Sequence, residues 1–237
     1  MGNYESYKTN IMPLLSVVIP VYNEKETIEK ILHKINAVPI DKEIVIIDNF
    51  STDGTREVLK KIEDSFKIKV IYHTQNLGKG TSVRDGIEAA QGEIVIIQDA
   101  DLEYEPNDYI SLIKPLLDNK ADMVLGARFM NGHSGLFMHR LGNRFLTGLV
   151  NFLFGSGLND YATCYKLAKR QVFNNLNLTS KGFDIEVEIV CKALKNKLKI
   201  VEVPISYYAR PYVEGKKIRW LDGIQAISSI LSYWIRG

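Results

Sequence analysis

The sequence predicts an α/β fold with a parallel sheet covered by helices on both faces. Three observations lead there. Short β-branched runs recur at Ser16–Val21, Glu43–Ile47 and Glu93–Gln98. The segments between them carry apolar residues at helical spacing. Acidic residues cluster just after the runs, where ligands of parallel α/β sheets lie.

The elements follow in order. SVVIPV at 16–21 is apolar enough to be buried on both faces, as parallel strands are. A helix opens near Asn23-Glu24 and places Ile28, Ile31, Leu32 and Ile35 on one side. EIVII at 43–47 is the next strand, which completes a β-α-β unit. Thr52-Asp53-Gly54-Thr55 can cap a helix running through Lys61, Ile68–Tyr72 is a strand, and Gly80–Ala90 a helix. EIVIIQ at 93–98 is a fourth strand. Near the C-terminus Trp220, Leu221, Ile224, Ile227, Ile230, Leu231, Trp234 and Ile235 recur at helical spacing, an amphipathic helix with Arg219 and Arg236 at its ends.

At 237 residues, one large domain with an appendage is expected. Hydrophobic residues at 46% and charged residues at 24% match ordinary globular proteins and exclude collagen-like, disordered and disulfide-scaffold classes. Thirty basic against twenty-eight acidic residues leave +2, too little for a phosphate footprint, so no nucleic-acid partner is expected. Cys164 and Cys191 show no metal spacing and suit a reducing compartment. His33, His73, His133 and His139 also lack ligand spacing and are expected to be structural or surface residues.

The N-terminus has no basic start leading into an apolar core, so no secretory signal is expected. Gly2 and Ser6 match the myristoylation pattern only formally. The uncharged apolar stretch Phe145–Asn159 is too short and glycine-rich to span a bilayer, so the chain is not expected to cross one.

The fourth strand ends in Asp99-Ala100-Asp101-Leu102-Glu103. If that stretch stays extended, its three carboxylates share a face. Hard oxygen ligands there suit Mg²⁺ or Mn²⁺, able to neutralise a departing diphosphate. Gly78-Lys79-Gly80 is neither a Walker A loop nor a dinucleotide fingerprint, so neither NTPase nor dehydrogenase is supported.

Further segments stand in a telling order: Pro20-Val21-Tyr22-Asn23-Glu24, Asp48-Asn49-Phe50-Ser51-Thr52-Asp53-Gly54-Thr55, Asn76-Leu77-Gly78-Lys79-Gly80, Asp99-Ala100-Asp101 and Gly126-Ala127-Arg128. Together they resemble the family 2 glycosyltransferases over roughly residues 15–220, which implies the Rossmann-like α/β fold called GT-A, a mixed, mainly parallel sheet flanked by helices. Within that family the chain is most similar to polyprenyl-phosphate sugar synthases of the dolichol-phosphate mannose and glucose types. Asp160-Tyr161-Ala162-Thr163-Cys164-Tyr165-Lys166 resembles their D-x-T-S-G-F-R segment, and Val203-Pro204-Ile205 through Arg210 and Lys216-Lys217 their closing stretch.

The resemblance implies a catalytic domain over 1–218, with a nucleotide half at about 14–128 and an acceptor half at about 129–218, followed by the helix at 219–237. It implies a donor site lined by Pro20, Tyr22, Glu24, Ile47, Asn49, Lys79, Asp99, Ala100 and Arg128. Asp99, Asp101 and Glu103 would hold the metal, with Asp101 and Asp160 at the reaction. Arg128, Arg210 and Lys216 would meet phosphates, which suits their charge and hydrogen-bonding forks. The implied activity is inverting hexosyl transfer from a UDP- or GDP-sugar to a polyprenyl phosphate.

Two departures bear on specificity. Asn49 and Phe50 replace an acid and a small glycine, and Cys164, Tyr165 and Lys166 replace Gly, Phe and Arg. A phosphate monoester acceptor, with a second pKa of about 6, needs no strong general base, and Asp160 would orient it or assist proton removal. Two alternatives stay open: the same fold acting on a glycan or protein hydroxyl, and a nucleotide-sugar-binding protein without turnover. The terminal helix and Leu136–Phe154, with Arg140 and Arg144, are candidate membrane-surface contacts. That implies a peripheral cytoplasmic enzyme on the inner face of a membrane, and leaves room for a homo-oligomer.

Overall fold

A computed structural model describes residues 13–130, 137–210 and 220–236. The chain runs β1 (Leu15–Val21), α1 (Ile28–Ala37), β2 (Lys42–Asp48), α2 (Thr55–Phe66), β3 (Lys69–Tyr72), α3 (Lys79–Ala89) and β4 (Ile94–Ile97). It continues with α4 (Tyr109–Leu117), β5 (Met123–Ala127), α5 (Phe137–Phe154), β6 (Lys166–Lys169), α6 (Arg170–Asn175), α7 (Ile185–Lys195), β7 (Ile200–Pro204) and α8 (Trp220–Arg236). Seven strands form one sheet in the order β3-β2-β1-β4-β6-β5-β7. Only β6 runs antiparallel to its neighbours, so the expected mixed, mainly parallel α/β sheet is present.

The central strands form because their Val and Ile side chains are covered from both sides. Val17, Val18, Ile19, Val45, Ile46, Ile47, Ile96 and Ile97 are all fully buried. Gly86 of α3 lets that helix lie directly on the sheet, since a Cβ there would stand 2.3 Å from Val18 Cγ1. At the α2 start the cap is Gly54 in a left-handed conformation, without a side-chain capping bond, and Asp53 Oδ1 accepts the Thr55 amide at 3.0 Å in the turn that leads in. The helix runs past Lys61 to Phe66 because Lys67 supplies the left-handed stop.

The sheet also opens the site. Pairing of β1 with β4 ends at Val18↔Ile97, and the next carboxyl-end bond runs from the Gln98 amide to the Val18 carbonyl. Pro20 has no N–H to prolong a ladder. Beyond that point β1 turns to β2 alone, and the chain after β4 departs. Strand order reverses between β1 and β4, the point at which open parallel α/β sheets form their ligand crevice.

The terminal helix docks on the domain. Ile230 is fully buried, α8 packs on α5 and α7, and the Tyr233 hydroxyl lies 2.8 Å from Ser180 Oγ. Its apolar residues therefore face two ways, with Leu231, Trp234 and Ile235 exposed. Lys216, Lys217, Arg219, Gly2, Ser6 and the side chains of Trp220, Leu221, Ile224, Arg236, His133 and His139 lie outside the described residues, as does Leu136. Among the described residues no helix is long and apolar enough to cross a membrane.

Candidate active site

The chain beyond β4 is not extended. Ala100 and Asp101 form a turn and Leu102 adopts a left-handed φ of 64°, so the premise that three alternating carboxylates share one face fails. The turn sorts them instead. Asp99 Oδ1 meets Lys79 Nζ at 2.8 Å. Asp101 Oδ2 lies 3.1 Å from Arg210 Nη2, while its Oδ1 accepts the Glu103 amide. Glu103 accepts the Tyr207 hydroxyl at 2.7 Å and the Arg210 amide at 2.9 Å. It therefore pins the 207–210 segment rather than standing ready as a ligand. Among the described residues no three metal-ligating side chains form a ready-made site.

The charges nonetheless favour a cation. Glu24, Asp99, Asp101, Glu103 and Glu186 are linked through only three cations, Lys79, Lys166 and Arg210, so the described cluster is short by two positive charges. Asp101 bears the consequence. Burial, reinforced by the carboxylates of Asp99 and Glu103 and only partly opposed by Arg210, pushes its pKa up to about 7. A divalent ion held by one or two carboxylates and completed by substrate phosphates fits this deficit without a three-ligand cage. Asp101 and Asp99 are the residues able to hold it.

Lys79 Nζ also reaches Glu186 Oε1 at 3.0 Å. Burial alone would lower its pKa, but the Asp99 and Glu186 charges outweigh that and hold it well above the lysine range. Asp99 is likewise held below the usual carboxylate range, because Lys79 overcomes its burial. The wholly buried Lys166 pairs with Glu186 Oε2 at 2.5 Å. The glycines around Lys79 serve close packing. A Cβ on Gly80 would stand 2.4 Å from the Ser180 carbonyl, and the Lys181 carbonyl accepts the Gly80 amide, so the α3 start is not a free phosphate cradle.

A second centre lies around Asp160, which is fully buried. Its Oδ1 accepts Arg128 Nη2 at 2.7 Å and Asn143 Nδ2 at 3.0 Å. Its Oδ2 accepts Arg128 Nε at 2.7 Å and the Arg128 amide at 3.1 Å. Four donors saturate the carboxylate, which leaves no lone pair for abstracting a substrate proton. The Arg128 guanidinium stacks 5.3 Å from the Tyr207 ring centroid, and Tyr207 joins this centre to Glu103.

The remaining expected residues divide. Arg210 also grips Glu24, at 3.2 and 3.4 Å, bringing the β1 loop to the carboxylate cluster. Pro20 and Tyr22 are half-buried near that loop, and Ala100 is buried in the turn. Ile47 is fully buried, and its Cδ1 would stand 2.6 Å from a Cβ on Gly86, so its side chain belongs to the core. Asn49 is turned inward: its Oδ1 accepts the Leu77 amide and faces His73 Nδ1, while its Nδ2 donates to Asn76. His73 is a buried structural residue, and His33 is exposed, as expected.

Glu186, Gln98 and Tyr207 escaped sequence reasoning. Gln98 Oε1 accepts the hydroxyls of Tyr109 and Tyr165 at 2.5 and 2.7 Å, while its Nε2 holds the Asp99 carbonyl. The one available signal was Glu186 and Glu188 interrupting the apolar run of α7, because buried acids demand partners.

Comparison with known proteins agrees with this geometry. Residues 16–176 match the model of glycosyl transferase family 2. The chain is 33% identical over 198 residues to glycosyltransferase AglJ of Haloferax volcanii, covering 82% of this chain and 63% of that protein. It is 29% identical over 209 residues to a dolichol-phosphate mannosyltransferase of Pyrococcus furiosus, covering 85% and 58%. The chain thus spans about three-fifths of the length of these two relatives. In fold it resembles glucosyl-3-phosphoglycerate synthase of Mycobacterium tuberculosis, solved with Mn²⁺, UDP and phosphoglyceric acid, at a TM-score of 0.72 and 21% identity over 94% of this chain and 79% of that one. A sheet opened between β1 and β4, an acidic turn at its mouth and a match over 16–176 have one common explanation: the chain belongs to glycosyl transferase family 2.

Proposed function

We propose that this glycosyltransferase moves a hexose, with inversion, from a UDP- or GDP-sugar to a polyprenyl phosphate at a membrane surface. The observation that bears most weight is that, among the described residues, the carboxylate cluster around Asp101 has two fewer positive than negative charges. A Mg²⁺ or Mn²⁺ ion bound at Asp101 and Asp99 would neutralise the departing diphosphate. Lys79 keeps Asp99 ionised and oriented. Arg210, tethered to Glu24 and Asp101, closes the 207–210 segment over the crevice and offers its guanidinium to a phosphate. Arg128 is held in one orientation by Asp160, so Asp160 is a positioning residue.

The saturated state of Asp160 favours an acceptor that arrives already anionic. A phosphate monoester, with its second pKa of about 6, meets that condition, whereas a sugar or protein hydroxyl would need a base. The chemistry left to the protein is alignment and suppression of anion repulsion.

The test is incubation with Mg²⁺ or Mn²⁺, radiolabelled UDP- and GDP-sugars, and polyprenyl phosphate beside water-soluble phosphorylated and hydroxyl acceptors. Label should appear in the lipid extract. Label only in water-soluble products across the donor panel would overturn the lipid acceptor.

The membrane part of the proposal rests on α5, which contains no Asp or Glu and exposes Leu141, Phe145 and Phe152 beside Arg140 and Arg144. An apolar stripe flanked by cations suits an anionic headgroup layer. Withdrawing each ring should cost about 1.5–3 kcal/mol. Phe145→Ser with Phe152→Ser should therefore reduce flotation with anionic vesicles more than about tenfold. Equal flotation would dismiss α5 as the contact.

A further inference from the structure

We propose that Phe50 is the platform on which the donor's base stacks, and that stacking gives this chain a site accepting uracil and guanine alike. The proposal rests on the nucleotide-sugar reading of the same crevice.

Phe50 directly follows Asn49 at the carboxyl end of β2 and has a φ of 67°. A bulky residue is rarely found there, because its Cβ crowds the following carbonyl. The ring is 40% exposed, so core packing does not explain this conformation. The backbone around it is held from both sides. Ser51 Oγ accepts the Asn23 amide at 2.9 Å, and Asn23 Oδ1 accepts the Thr52 amide at 2.8 Å. Strain maintained by surrounding bonds at the carboxyl end of a parallel sheet, where such sheets bind ligands, points to use of the side chain.

The ring is also placed in advance. The Arg56 guanidinium lies 5.2 Å from its centroid, with Arg56 Nε 2.5 Å from buried Asp48 and its Nη2 donating to the His73 carbonyl. An exposed aromatic ring with its orientation set by a fixed cation is suited to a planar heteroaromatic.

The acid and amide side chains flanking Phe50 in sequence are occupied within the protein. Asp48 is taken by Arg56 and the Ser51 amide, and Asn49 by Leu77, His73 and Asn76. Asp53 accepts from the Lys25 amide and from the Thr55 amide and hydroxyl. What Phe50 offers is contact with a π-face, which every base has.

Calorimetric titration of the full chain with UDP and with GDP, in Mg²⁺ or Mn²⁺, tests this. The two dissociation constants should agree within about tenfold. Phe50→Ala should weaken both by about 5- to 150-fold, the range of a lost base stack, and Phe50→Trp should preserve both. Phe50→Gly should bind as weakly as the alanine variant yet melt at a higher temperature than the parent, since glycine relieves the left-handed backbone. A merely structural ring would change melting without changing affinity. Unchanged affinity in the alanine and glycine variants, or a preference well beyond tenfold in the parent, overturns the proposal while leaving the nucleotide-sugar reading intact. Failure of the parent to bind either nucleotide overturns both.

Discussion

Asp160→Asn is expected to reduce transfer at least 100-fold at every pH and to lower the melting temperature on the order of 10 °C. The carboxylate accepts four hydrogen bonds, three of them from Arg128. An amide replaces one acceptor oxygen with a donor that must face a guanidinium or Asn143. The Arg128 charge then remains buried without its counter-ion, and breaking such a pair costs about 3–5 kcal/mol. Because Asp160 acts through Arg128, the shape of the pH–rate profile should persist. A general base would behave differently, since its removal abolishes the limb on which the base must be deprotonated. A folded variant with that limb gone would restore the base role and favour the hydroxyl acceptor. Arg128→Lys separates charge from geometry: it keeps the cation but loses the fork, and should lose most of the transfer as well.

Asp101→Asn is expected to abolish metal-induced stabilisation and transfer, yet to stabilise the metal-free protein at neutral pH. The sign follows from the raised pKa. A carboxyl with a folded-state pKa of about 7, against an ordinary value of 3.8, contributes stability that is full below about pH 4. That contribution is lost as pH rises toward 7, a change of a few kcal/mol. Asparagine cannot ionise and so removes the loss. Asp99, Asp53 and Glu188 have lowered pKa values and act oppositely, with stability present at neutral pH and lost on acidification. The difference between parent and variant isolates Asp101. Melting curves between pH 4 and 8, with and without Mg²⁺ or Mn²⁺, should converge at the acid end. They should diverge toward neutrality in the absence of metal. An undiminished metal-induced shift in the variant would remove Asp101 from the ion's site.

The N-terminal half was legible because its signals are local. Buried parallel strands must be apolar on both faces, and Ser16–Val21, Glu43–Ile47 and Glu93–Gln98 each lie within about two residues of the observed strands. The α1 positions Ile28, Ile31, Leu32 and Ile35 are all fully buried, as their spacing required. Extended alternation failed at Asp99 to Glu103 because Ala100 and Asp101 turn the chain and Leu102, with its left-handed φ, redirects it again before Glu103. Asn49 was expected at the donor and instead holds the loop that carries Lys79, a choice set by Leu77, Asn76 and His73. Ile47 was expected to line the base site, but Gly86 lets α3 cover it.

By itself the sequence determined the strand-helix alternation, the direction in which the sheet opens and the family, since periodicity and short motifs are properties of neighbouring residues. Only the tertiary structure decided which charges meet. It gave Asp160 to Arg128, divided Glu186 between two lysines and made Asp101 share Arg210 with Glu24 beside two further carboxylates. Ionic interaction depends on distance through space and on the dielectric around each group, and residues far apart along the chain acquire both only when it folds.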